Sequence, residues 1–179
     1  MVMKKFLSNV MSRAVVWLLF FSVGAVMAGP LSGNRWELLE IVYPPDRSMS
    51  IYMGGSDKTL TATGECKIKW QKGTGSLELE IKGLPSPNEA GWGNRQYVLW
   101  ALDRDKHIAN LGVVPLRGKN AKWSVQTAFR TFGLLITAEQ DPKAPAPSTA
   151  VAMESLLPTD PDLVVPVYRV EIDLGPRKG

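Results

Sequence analysis

The residues that could do chemistry lie mostly in one short run. Asp103-Arg104-Asp105-Lys106-His107 places two carboxylates and the chain's single histidine within five positions. An imidazole beside carboxylates can act as a general base, sense pH near neutrality or ligate a metal. The one cysteine, Cys66, could be a redox thiol if it were exposed and acidified. Asp160 and Asp162 form a second carboxylate pair, suited on paper to acid–base work or to calcium. None of these is a complete set. One His and one Cys cannot supply the ligands of a zinc site. No Gly-x-Ser-x-Gly elbow accompanies His107. The run from Gly91 to Gln96 is not followed by Lys-Ser/Thr and is no phosphate loop. The expectation is therefore no catalytic residue, no cofactor and no metal. Both Asp pairs fall in turns, where Asp bonds the local backbone. His107 reads as a solvated residue beside a hairpin turn, and Cys66 as a buried one. Trp92 lies between two glycines and next to Asn94 and Arg95. These three are the candidate interaction residues, with Trp92 either a binding anchor or a lid folded back on the core.

Strands must position these groups. From Thr61 to Trp70, Ala62, Gly64, Cys66, Ile68 and Trp70 fall on one face, and Glu65, Lys67 and Lys69 on the other. Leu77, Leu79 and Ile81 alternate with Glu78, Glu80 and Lys82. Trp123 and Val125 alternate with Lys122, Ser124 and Gln126, and Tyr168, Val170, Ile172 and Leu174 with Arg169, Glu171 and Asp173. A period of two with one wet face predicts antiparallel strands. Weaker patterns at 36–43, 108–116 and 133–140 add more. Short polar connections at 71–76, 103–106 and 117–120 require antiparallel neighbours. The only short helical candidate is 148–157, which Ser148 or Thr149 could cap. These elements predict an all-β fold, an antiparallel β-sandwich of about seven or eight strands, immunoglobulin- or fibronectin-like. Tyr97 to Leu102 is apolar on both faces, as a central strand covered on both sides must be. The segment 140–166, with six of the chain's 13 prolines, is expected to cross one face of the sandwich and supply that cover.

The N-terminus reads as a targeting segment. Lys4, Lys5 and Arg13 precede the apolar run Ala14–Ala28, and Val26 and Ala28 take the −3 and −1 places of a signal-peptidase site. Residues 1–28 are expected to be a signal peptide helix, cleaved between Ala28 and Gly29, with 29–179 forming a single domain. The run is short of the roughly 20 residues of a spanning helix, so a membrane role arises only if it stays uncleaved. The whole chain carries 21 basic and 17 acidic residues, a net charge of +4. The first 28 residues hold three of the basic ones and no acid. The remainder, 18 basic against 17 acidic, is close to neutral at +1. With its charges interspersed, it gives no argument for nucleic acid. With one cysteine, an exported fold must rest on its apolar core.

Residues 62–152 carry a family resemblance. In order they show a strand ending in Trp70, a glycine turn, Leu77-Glu78-Leu79-Glu80-Ile81-Lys82-Gly83-Leu84-Pro85, the run Gln96-Tyr97-Val98-Leu99-Trp100-Ala101-Leu102-Asp103, and Asn110-Leu111-Gly112-Val113-Val114. Then comes a Thr137/Glu139/Pro142 ending. This block resembles the extracytoplasmic C-terminal domain of bacterial anti-sigma factors of the anti-sigma-K type. The family's paired glycines near its end are replaced here by Lys143-Ala144-Pro145-Ala146-Pro147. The family also has a cytoplasmic helical domain that holds the sigma factor, for which this sequence has no counterpart. The resemblance implies a free-standing version of the outer domain that does not bind a sigma factor directly.

The function expected from these readings is an exported, non-enzymatic protein of the bacterial envelope, periplasmic or extracellular. It would act as a binding or sensory module for an envelope protein or surface ligand, using the loop of Trp92 and the 140–166 segment. The alternative is an enzyme or carbohydrate-acting secreted protein that uses loop carboxylates.

Overall fold

Alternation in the sequence becomes ladder after ladder in the structure. A computed structural model of the chain describes residues 30–32, 34–160 and 163–175; the expected signal helix and the Ala28/Gly29 cleavage site lie outside them. Among the described residues there are eleven strands and no helix: β1 (Pro30–Ser32), β2 (Arg35–Val42), β3 (Ser48–Gly55), β4 (Thr63–Gln71), β5 (Thr74–Lys82), β6 (Gln96–Leu102), β7 (Ile108–Val113), β8 (Ala121–Thr127), β9 (Thr131–Glu139), β10 (Val151–Pro158) and β11 (Val167–Asp173). Every pairing between strands is antiparallel.

Eight strands run side by side in the order β7-β6-β9-β10-β3-β4-β5-β8. The sheet curls until its end strands, β7 and β8, come near each other, so it is almost a closed barrel. Two stacked sheets of seven or eight strands were expected; the strands form one connected, curled sheet instead. The reason lies in β10, which bridges β9 and β3 (Glu154 pairs with Leu135 on one side and Gly54 on the other) and joins what would have been separate sheets. The expected helix at 148–157 is this strand. Its Ala, Met, Glu and Leu favour helix, but two open sheet edges outweigh that preference.

The barrel interior is filled by alternate residues of each strand. Met49, Ile51 and Met53 meet Cys66 and Ile68, Leu77 and Leu79, and Phe132, Leu134 and Ile136. A second core lies on the outer face. There β2 and β11 pair along their length, from Arg35↔Asp173 to Ile41↔Val167, and β2 is spliced into the barrel through Ile41↔Phe132 and Val42↔Thr131. Trp36 and Leu38, with Val170, Ile172 and Leu174, cover Val98, Trp100 and Leu102 of β6 and Leu135 of β9. The doubly apolar strand β6 is thus central, as expected, with every residue from Tyr97 to Leu102 buried. Each such apolar side chain contributes roughly 1.5–3 kcal/mol before entropy is subtracted. Its cover is mainly the β2–β11 layer and not a crossing by 140–166. From that segment Ala144 and Val151 pack on the second core, Glu154 meets Trp36 there, and Asn110 Nδ2 donates to Pro142 O at 2.9 Å.

The splice needs a close approach. A Cβ on Gly133 would sit 2.5 Å from Leu39 O and 2.7 Å from Leu38 Cγ, so only glycine lets β2 pass over β9 there. At the β4–β5 hairpin, Lys72 (φ 50°) and Gly73 (φ 80°) make the two-residue turn that the sequence signals.

Candidate functional site

The connections are unequal at the two ends of the barrel. Because neighbouring strands alternate in direction, the loops 56–62, 83–95, 114–120 and 140–150 all emerge at one end. The other end holds the turns 72–73, 103–107 and 128–130, with 43–47 arriving from β2 and the 159–166 connection leaving β10 toward β11. Long loops gathered on a rigid scaffold are where binding residues are usually carried.

Trp92 sits at the long-loop end. The loop is tightened by a reciprocal cap: Ser86 N and Oγ donate to Glu89 Oε2 at 2.8 and 3.0 Å, and Glu89 N donates to Ser86 Oγ at 3.2 Å. Trp92 N donates to Pro87 O at 2.8 Å, and Gly91 and Gly93 on either side have positive φ. This turns the indole inward. Trp92 is half-buried against the barrel core, edge-on to Tyr97 at 6.1 Å between ring centroids, with Lys58 Nζ 5.3 Å from its ring centroid. Tyr97 is itself fixed by its hydroxyl, which donates to Pro85 O at 2.9 Å. Of the two open readings of Trp92, the geometry is that of a lid, with an ammonium laid across the ring. Arg95 is committed to the scaffold, Nη1 donating to Ala138 O at 3.2 Å. Asn94 is exposed. The structure therefore brings the three candidate residues to one end but presents them differently.

The His107 turn lies at the opposite end. Asp103 Oδ1 accepts His107 N at 2.9 Å, and Asp103 Oδ2 lies 2.8 Å from His107 Nδ1. That hydrogen bond first, and the aspartate charge second, raise the imidazole pKa above its ordinary value. Ligating atoms of Asp103, Asp105 and His107 all fall within 4.8 Å of one another, a spacing that could admit a cation. Asp103, however, already spends both oxygens on the turn, so the arrangement is that of a titrating lock on a hairpin. A cavity of about 600 Å³ adjoins it, lined also by Asn34, Lys106, Glu171 and Asp173. Glu171 and Asp173 both lie near Arg35, at 3.5 and 3.9 Å.

The remaining candidates resolve simply. Cys66 is fully buried, and burial pushes its thiol pKa up, the opposite of a reactive cysteine. Asp162 lies outside the described residues, and Asp160 accepts Leu163 N through its backbone carbonyl.

Two buried polar groupings have no place in the sequence reading. Trp36 Nε1 donates to Glu154 Oε2 at 2.8 Å. Trp100 Nε1 donates to Thr137 Oγ1 at 2.7 Å, Thr137 Oγ1 donates to Glu139 Oε1, and the same oxygen accepts Ser148 N at 2.7 Å. The first had a signal, a lone carboxylate inside Val151–Leu157, a run that is apolar apart from Glu154 and Ser155. The second had none, since Glu139 looks like any polar residue ending a strand. No family model, curated protein or solved structure matches this chain.

Proposed function

We propose that the chain is an exported, non-enzymatic binding or sensory module of the bacterial envelope, similar in role to the outer domain of anti-sigma-K factors. The observation that carries this reading is the gathering of the loops 56–62, 83–95, 114–120 and 140–150, with Trp92 and its covering Lys58, at one end of the barrel. The paired strands of the scaffold would hold the loops still, and release of Lys58 from the Trp92 face would expose an aromatic anchor. Export is supported by the basic and apolar N-terminal pattern.

Two measurements test the proposal. Intact mass of the protein recovered from the extracytoplasmic fraction should lack residues 1–28. Trp92→Ala should weaken binding to envelope components at least tenfold, while Asp103→Asn at the opposite end leaves it unchanged. Retention of full affinity by Trp92→Ala would remove the long-loop end from the proposal.

A further inference from the structure

The flank of the long-loop end carries an unbalanced recess. It has a volume of about 650 Å³ and lies between the end of β5, the 114–120 loop and the start of β8. Three cations line it, Lys82, Arg117 and Lys122, against one carboxylate, Glu80. Glu80 is shared, with Oε1 2.9 Å from Lys82 Nζ and Oε2 3.1 Å from Lys122 Nζ. Those two contacts lower its pKa, so it stays ionised across neutral pH. Arg117 has no carboxylate partner among the described residues. Three cations and one anion line the recess itself, with the charge of Glu65 on the neighbouring strand also felt by Lys82.

The recess is also rich in donors and firmly framed. Arg117 N donates to Asn120 O at 2.7 Å and Asn120 N to Arg117 O at 3.2 Å, a tight turn that sets the guanidinium's root. Asn120 Oδ1 faces Gly83 N at 3.4 Å, which leaves its amide nitrogen free to donate. A planar guanidinium fork, two ammonium groups and an amide lining one concavity suit an oxyanion carrying more than one charge.

We propose that this recess binds a doubly charged oxyanion, the phosphate or clustered carboxylates of a small ligand. The inference rests on the binding-module reading and names the chemistry such a module would select. Glu80 acts as the resident counter-ion, holding the two lysines together until the ligand competes for them. Because the lysines are solvated, affinity is modest and falls with salt.

The test is titration of inorganic phosphate into the full-length protein at constant ionic strength, followed by amide chemical shifts, with citrate as the carboxylate arm and chloride as control. Saturable shifts are expected at Lys82, Arg117, Asn120 and Lys122, and absent in the exposed-site double variant Arg117→Ala/Lys122→Ala. Glu80→Gln should tighten binding at least about fivefold, the worth of one unit charge acting on each unit of ligand charge a few ångströms away in a water-like dielectric. Saturation by phosphate alone assigns a phosphate ligand, and by citrate alone a polycarboxylate. Shifts that never saturate, that chloride reproduces, or that weaken in Glu80→Gln overturn the proposal. Such a failure, with Trp92→Ala still impairing envelope binding, would remove the recess and leave the module reading standing.

Discussion

The indole of Trp36 donates to Glu154 Oε2 at 2.8 Å, and both side chains are buried where β2 lies over β10. Burial pushes the Glu154 carboxyl up to about 7; the nearby Glu37 charge adds to this and the indole bond opposes it. In the unfolded chain a glutamate titrates near 4.3. The folded value is the higher one. Its stabilising contribution is therefore complete below the unfolded value and is lost as pH rises through about 7. The loss is roughly 4 kcal/mol at most. The melting temperature should fall between pH 5 and pH 8, and Glu154→Gln, which keeps an acceptor for Trp36, should flatten the fall. Equal slopes in the two proteins would rule this out.

Gly133→Ala tests the splice between the barrel and its outer layer. The added methyl would meet Leu39 O and the Leu38 side chain inside contact distance. The backbone oxygen cannot move without disturbing the Ile41↔Phe132 pairing two residues away. Overpacking of this kind costs about 1–3 kcal/mol. Urea denaturation should show a lower midpoint, and hydrogen exchange should show earlier opening of β2 and β11 than of β4 and β5. A midpoint equal to that of the unsubstituted protein would contradict the close crossing.

What could be read from the sequence follows the contrast between wet and dry faces. Strands β4, β5, β8 and β11 alternate charge with apolar residues, because one side of each faces water, and they stand out. Strand β6 announces its double burial through Tyr97–Leu102. Strands β3 and β10 do not stand out. Their outward residues include Tyr52, Gly54 and Leu156, which give little contrast with Met53 or Met153. The cover over β6 was illegible for a different reason. Several amphipathic strands could lie there, and only the approach at Gly133 selects β2 with β11. At the candidate site, the 103–107 turn was plain, but the partner of Arg104 sits on β2, 64 residues away. For Trp92 the sequence left lid and anchor open, because Lys58 reaches its ring from a separate loop.

The Asp103–His107 lock predicts a measurable titration. Asp103 raises the His107 pKa through its hydrogen bond first and its charge second. Proton NMR of the His107 ring should give a midpoint above the ordinary 6.5, and Asp103→Asn should bring it down toward that value. Because the folded value is raised, any stabilisation from the pair is present below 6.5 and lost as pH climbs through the folded value. The ring is exposed, so added salt should also lower the midpoint. A midpoint unaffected by Asp103→Asn would mean that the pair does not form in solution.

Arg104, from the same turn, clamps the outer layer to the barrel. Its Nε lies 2.7 Å from Glu40 Oε2, its backbone N donates to Glu40 Oε1 at 3.1 Å, and its guanidinium stacks 3.8 Å from the Tyr168 ring. Glu40 is only 1% exposed. Arg104→Ala would leave a buried carboxylate with one N–H for company, which costs more than the pair is worth. A loss of about 2–3 kcal/mol is expected from chemical denaturation. Glu40→Gln in that background should recover part of it, because no charge is then left buried. Recovery separates a stranded charge from the lost stacking on Tyr168, which Glu40→Gln cannot restore. If the double variant is no more stable than Arg104→Ala alone, the clamp acts through the aromatic contact and not through the ion pair.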